Sequence, residues 1–293
     1  MQAIKTIGFI GVGVMGEPMC RHLAQKSGAT VLACDRDAAP LARLAECGVR
    51  AATMAEVSAQ ADIVFLSLPS GEVVESVVLG ENGLLAGGRA GQIIVDLSTS
   101  TMNTARKAAE AMAARGMKFA DAPVMRTRAA AEAGTLAVPV GADDALFALV
   151  APFIRMFASD VVHAGGVGAG QVVKILNNMV LYETVLALSE ARAIGVRAGL
   201  SPQGLFEALS IGSADSFALR NHGMKAIAPQ VFPERAFPVT YARKDISYAV
   251  ALADQLGVEA TGAKNLMNCL DQAIEAGHGD KYAPAISLVF EGK

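Results

Sequence analysis

Apolar and polar positions follow two regimes along this chain. From residue 4 to residue 163, short apolar runs with little polar alternation recur at 4–10, 30–34, 62–67, 92–96, 117–120, 135–140 and 160–163. Such runs suit strands covered on both faces, which is the usual situation in a parallel sheet. Helical periodicity fills the intervals, at 104–115 and 143–157 among others. Strand–helix alternation predicts a doubly wound α/β sheet. After residue 163 the strand-like runs largely stop, and the spacing predicts helices over 203–210, 216–227, 241–256 and 263–276. The glycines at 165, 166 and 168 read as a hinge, so the expected domains are 1–164 (α/β) and 165–293 (all-α).

The two regimes meet in a long stretch from Gly168 to about Gly195. It is apolar around its whole circumference (Val172, Val173, Ile175, Leu176, Val180, Val185, Leu188), which predicts a buried helix. Lys174, Asn177 and Asn178 fall at i, i+3 and i+4 and therefore share a face. Desolvating an ammonium is costly and lowers its pKa, so a lysine here either marks a chemical site or snorkels from the first turn into water. The helix by itself leaves both readings open.

The first predicted strand runs into Gly11-Val12-Gly13-Val14-Met15-Gly16, and a helix follows. In that context the first glycine permits a tight turn, the second lets the backbone approach a pyrophosphate, and the third allows close helix–strand packing. The helix N-terminus then faces the phosphates, with Pro18 harmless in its first turn. Asp35 lies 24 residues after Gly11, near the position of a carboxylate that binds ribose hydroxyls. A carboxylate there repels a 2′-phosphate and favours NAD. Arg36 beside it is suited to that phosphate, so NADP stays open. Leu68, Pro69 and the cluster Ser98-Thr99-Ser100-Thr101 fall at C-terminal strand ends, where open α/β sheets bind ligands. One hydroxyl of the cluster is expected to cap a helix, with Thr99 left to face the cofactor.

Composition narrows the partners. The chain has 293 residues, a net charge of -3 and 18% charged residues, which gives no electrostatic case for nucleic acid or an anionic membrane. No stretch is expected to span a bilayer, and the start leads directly into a strand without a signal-peptide pattern. Four scattered cysteines and four histidines suggest neither a disulfide framework nor a metal site. A reduced, cytoplasmic protein is expected.

Taken together, the motifs resemble the β-hydroxyacid dehydrogenase family, which includes 3-hydroxyisobutyrate dehydrogenase and tartronate semialdehyde reductase. The resemblance rests on the glycine turn through Met19, Asp121-Ala-Pro-Val124, Gly134-Thr-Leu136, Gly168-Ala-Gly170 with Lys174 and Asn178, and Lys244-Asp245. It implies a Rossmann domain, a long interdomain helix and an all-α domain that packs against a second subunit in a homodimer or homotetramer. It also implies Lys174 as catalytic acid/base, Asn178 and Asn177 as substrate holders, Lys244 near the cofactor, and Thr99 at the nicotinamide side. The substrate would be a small anionic hydroxy acid or its semialdehyde.

One segment departs from the family. After Asp-Ala-Pro-Val a Ser-Gly-Gly turn is usual, whereas Met125-Arg126-Thr127-Arg128 stands here. The change resembles the sulfolactaldehyde reductase branch, which implies that Arg126, with Thr127, holds a distal anion such as a sulfonate or the second carboxylate of succinic semialdehyde. A guanidinium fork suits such groups. The alternative is a pair of solvated loop arginines. Imine reductases share the architecture but usually have aspartate or tyrosine in place of Lys174. A non-catalytic scaffold would tend to lose that lysine, and a 6-phosphogluconate-type decarboxylating enzyme would need a larger helical domain.

Overall fold

The continuous apolar runs become strands whose successive residues feed opposite faces of one sheet. In the computed structural model, which describes residues 4–234 and 236–291, these are β1 Thr6–Ile10, β2 Thr30–Cys34, β3 Arg50–Ala51, β4 Ile63–Leu66, β5 Ile93–Asp96, β6 Lys118–Asp121, β7 Leu136–Gly141 and β8 Ala158–Gly165. Ile63, Phe65, Ile93 and Val95 enter one apolar cluster, and Val64, Leu66 and Ile94 enter another. This period-two division explains why the strands show no polar alternation: helices cover both faces.

The strand order is β3-β2-β1-β4-β5-β6-β7-β8. Its first six strands have the order of a dinucleotide-binding Rossmann sheet. The expectation of a parallel sheet holds through β6 and fails at β7, which pairs antiparallel with β6 and parallel with β8. Between β6 and β7 lies a single helix of 6 residues, Arg128–Ala133. At about 1.5 Å per residue that helix is too short to return the chain along the sheet for a parallel crossover.

The chain divides into two compact units, Met1–Lys174 and Ile175–Lys293. The division falls ten residues beyond the expected 164, because the first turn of the helix Ala169–Arg197 is hydrogen-bonded into the ends of β5 and β6. The second unit is helical and built on Tyr182, Val185, Leu188, Phe206, Ile246 and Leu270. It contains the helices Pro202–Ser210, Val239–Gln255 and Thr261–Ala273 and a π-helical segment, Leu219–Ile227.

Two expectations about the long helix are corrected. It is not buried all round: Val173, Leu176, Val180 and Ile194 are 40%, 42%, 60% and 68% exposed, while Ile175, Asn178, Tyr182, Val185 and Ser189 are buried. Apolarity around the circumference therefore combines a packed stripe with an uncovered one. The helix is also long and apolar enough, by length and composition, to cross a membrane, with a mean hydropathy of 1.3. Its charges, Lys174, Glu183, Glu190, Arg192 and Arg197, are spread from its first turns to its last, so no run looks uninterrupted although the average passes.

Candidate functional site

At the glycine turn each glycine has a separate steric reason. Gly11 has φ +90°, and a Cβ on it would lie 2.2 Å from the Ser67 carbonyl oxygen. A Cβ on Gly16 would lie 1.9 Å from the Gly11 carbonyl oxygen. Both are needed to close the turn. Gly13 instead has open space where its Cβ would project, which is the room a pyrophosphate requires against the backbone. The helix Gly16–Lys26 starts from Met15, which offers no side-chain cap; the Glu17 amide turns back to the Gly13 carbonyl at 2.9 Å, and the helix N-terminus ahead of it faces the side where an anion would sit. Val12 is buried and Val14 is exposed.

Asp35, at the end of β2, braces this turn. Its Oδ2 accepts from the Val12 amide at 2.6 Å and its Oδ1 from the Asp37 amide at 2.9 Å. Arg36 next to it is exposed. The Leu68 amide donates to Ser98 Oγ at 2.9 Å, Pro69 is exposed and Thr99 is half-buried. Thr101 caps the following helix by accepting from the Thr104 amide, as expected of one member of the hydroxyl cluster. These residues sit at the C-terminal ends of neighbouring strands and fit a dinucleotide: an open glycine, a helix N-terminus without a side-chain cap and a ribose-side carboxylate.

At the start of the long helix stands a second polar group, which holds the helix to the strand ends. Asp121 is fully buried; its Oδ1 accepts from the Gly168 amide at 2.6 Å and its Oδ2 from the Gln171 amide at 2.8 Å. Gly170 packs so closely that a Cβ would lie 2.8 Å from the Asp121 carbonyl oxygen. Gln171, also fully buried, donates from Nε2 to the Ser98 carbonyl at 2.8 Å and accepts at Oε1 from the Ser100 amide at 2.9 Å. Asp96 faces Asp121 across the β5–β6 ladder and accepts from the Ser98 amide. Burial pushes Asp96 up to about 7, with Asp121 adding repulsion, and pushes Asp121 up to about 6. Three residues beyond Gln171, Lys174 is half-buried.

The Met125–Arg128 segment differs from expectation in detail. Arg126 has φ +83°, a left-handed backbone conformation that glycine adopts most readily. Its guanidinium donates to the Thr135 carbonyl at 2.6 Å and to Ser159 Oγ at 2.9 Å, and lies 2.8 Å from Asp160. A distal anion would compete with Asp160 for this guanidinium. Thr127 caps the helix Arg128–Ala133, and Arg128 pairs with Glu132 on the surface.

In the helical unit, Asn177 is exposed and donates to Asn178 Oδ1 at 3.1 Å. Asn178, 4% exposed, donates to Asp245 Oδ2 at 2.7 Å. Lys244 Nζ lies 3.1 Å from Asp245 Oδ1 and 5.8 Å and 5.3 Å from the ring centroids of Tyr241 and Tyr248. Asp245 belongs to the Lys244-Asp245 pair that carries part of the resemblance. It lies in the second turn of Val239–Gln255, 2% exposed, where pairing and not the helix terminus sets its environment.

Comparison with known proteins agrees with this geometry. Residues 6–166 match the family described as the NAD binding domain of 6-phosphogluconate dehydrogenase, and residues 168–288 that described as NAD-binding of NADP-dependent 3-hydroxyisobutyrate dehydrogenase. The chain is 36% identical to 3-hydroxyisobutyrate dehydrogenase of Pseudomonas aeruginosa, over 98% of this chain and 99% of that one. The chain belongs to the β-hydroxyacid dehydrogenase family. It is also 38% identical to 2-(hydroxymethyl)glutarate dehydrogenase of Eubacterium barkeri, covering 85% of this chain and 83% of that protein. A solved Mycobacterium tuberculosis 3-hydroxyisobutyrate dehydrogenase with L-serine superimposes with a TM-score of 0.89 at 28% identity, over 99% of this chain and 100% of that one. An imine reductase from Myxococcus stipitatus has a TM-score of 0.67 at 17% identity, which is a likeness of fold alone.

This dehydrogenase is an NAD(P)-dependent oxidoreductase. Reasoning from its sequence missed Gln171 and Asp96 as members of the polar framework. The available signal was a lone amide in an apolar helix and a lone carboxylate closing an apolar strand, since buried polar groups need partners.

Proposed function

We propose that this β-hydroxyacid dehydrogenase interconverts a short, anionic 3-hydroxy acid and its semialdehyde, with Lys174 as the proton-transfer group. The nicotinamide, when bound, supplies or accepts the hydride. In the reducing direction Lys174 gives a proton from Nζ to the carbonyl oxygen; in the oxidising direction it takes the hydroxyl proton. Asn178 and Asn177 orient the substrate oxygens, and Lys244 adds positive charge to the cofactor side. The observation that carries this reading is the attachment of the first turn of the lysine helix to the strand ends beside the cofactor turn, through Asp121 and Gln171. Relatives named for hydroxyisobutyrate, hydroxymethylglutarate and 2-hydroxy-3-oxopropionate support the substrate class. Asp35 supports NAD over NADP, because a carboxylate at the ribose repels a 2′-phosphate.

The narrower reading, a sulfolactaldehyde or succinic semialdehyde reductase, rests on Arg126 alone, and its bonds to Asp160, Thr135 and Ser159 weaken it. The uncovered stripe Val173, Leu176, Val180 and Ile194 supports a homo-oligomer built on the long helix. The test is a panel of 3-hydroxy acids and semialdehydes assayed with NAD(H) and NADP(H), with Lys174→Ala as control. Turnover of 3-hydroxy acids by the wild type, lost in Lys174→Ala, is the expected result. Absence of turnover across the panel overturns the substrate class, and turnover by the variant overturns the role of Lys174.

A further inference from the structure

A buried amide inside an apolar helix is expensive unless all its polar atoms are paired. Gln171 meets that condition in one particular way. Its Nε2 donates to the carbonyl of Ser98 and its Oε1 accepts from the amide of Ser100, so the two bonds fall on either side of Thr99. Thr99 stands just past the end of β5, at the edge of the sheet where ligands bind. Gln171 and Lys174 are three apart on one helix and so lie on neighbouring turns of the same face. The backbone of that turn is fixed as well, by the Asp121 carboxylate on the amides of Gly168 and Gln171.

We infer that Gln171 is a positioning residue for the reaction: its amide brackets Thr99 and thereby sets the loop after β5 in register with the turn that carries Lys174. This rests on the proposed role of Lys174. A general packing role would spread its effect over stability and binding, whereas a registering role concentrates it in the chemical step. Misplacement of a reacting group by about 1 Å typically costs on the order of a hundredfold in rate.

The test uses the full-length protein with Gln171→Met, which keeps the volume and removes the amide, and Gln171→Glu, whose neutral acid retains one donor and one acceptor. In cofactor-free protein, hydrogen exchange at Ser100 should quicken in Gln171→Met, since its amide loses its acceptor. In turnover, kcat should fall by about tenfold to a hundredfold, with KM and cofactor affinity changed by no more than about twofold. The primary isotope effect from a deuterated cofactor should grow as hydride transfer becomes limiting. Activity of Gln171→Glu relative to wild type should recover as pH falls and the acid is neutralised; the ratio is used because Asp96 and Asp121 beside it also titrate.

Wild-type kcat in Gln171→Met, or a parallel loss of cofactor affinity and kcat, overturns the inference. Failure of both variants to fold overturns it too, because Gln171 would then hold the domain together and not the register. Near-normal turnover by Lys174→Ala is a separate outcome: it removes the lysine reading, while exchange at Ser100 still reports whether the bracket exists.

Discussion

Asn178 donates its side-chain amide to Asp245 at 2.7 Å, so a carboxylate 67 positions further along the chain fixes one residue of the long helix. With one oxygen taken by Asn178 and the other 3.1 Å from Lys244, Asp245 orients both an amide and a cation within the helical unit. Replacing it with alanine should leave Asn178 Nδ2 without its partner. Hydrogen bonds to charged groups are worth about 1.5–3 kcal/mol, so Asp245→Ala is expected to raise the substrate KM by roughly tenfold or more, and Asp245→Asn by less. Steady-state kinetics check this; an unchanged KM in a folded alanine variant means Asn178 does not order the substrate.

Lys174→Ala is expected to lower kcat by about 10²–10⁴ while cofactor affinity stays close to wild type, because the group moves a proton and does not hold the dinucleotide. Cofactor titration by fluorescence and single-turnover measurements separate the two. Near-normal turnover removes lysine from the mechanism.

Asp35→Asn should raise the ratio of NADP to NAD efficiency. The asparagine oxygen can still accept from the Val12 amide, so the turn is retained while the charge that repels a 2′-phosphate is lost. Parallel kcat/KM measurements with both cofactors decide it. A wild type that already prefers NADPH would mean that exposed Arg36 dominates.

Arg126 separates two outcomes. As a brace in left-handed backbone it gains a solvent-screened ion pair and hydrogen bonds to Thr135 and Ser159, weak at an exposed surface, against a strain of about 1–2 kcal/mol that glycine avoids. Arg126→Gly should therefore melt at or above the wild-type temperature and Arg126→Ala below it, with equal activity changes on charged and neutral aldehydes. A loss confined to aldehydes bearing a second anion would give the guanidinium to the substrate.

The buried carboxylates give a pH signature with a definite sign. Burial raises Asp96 to about 7 and Asp121 to about 6, so the folded state binds protons that the unfolded chain releases near pH 4. Their contribution to stability is present below the unfolded value and is lost as pH rises through about 6–7. Asp96→Asn escapes that loss. The difference in melting temperature, variant minus wild type, should grow from pH 5 to pH 8, and a constant difference contradicts the assignment. Comparing the two proteins cancels His222, which burial depresses to about 4 and which acts in the opposite direction.

Much of this was legible in the residues alone. Seven of the eight strands among the described residues announced themselves as apolar runs, because a sheet covered on both faces requires them; β3, with 2 residues, is too short to leave a pattern. The glycine turn was legible because steric closure admits no other residue at Gly11 or Gly16. Lys174, Asn177 and Asn178 were legible as one face because helical periodicity is local. The reversal of β7 was not, since it depends on how far a short helix carries the chain.

The class of fold, the dinucleotide turn and the lysine helix all arise from interactions between near neighbours in the chain, and so are written in the order of the residues. Which polar residues answer one another is settled by long-range packing: Asp121 with Gly168, Gln171 with the peptides around Thr99, Asn178 with Asp245, and Arg126 with Asp160. The reason is physical. A buried donor or acceptor must find a partner, but the requirement states only that one exists; which residue supplies it is fixed when distant segments pack.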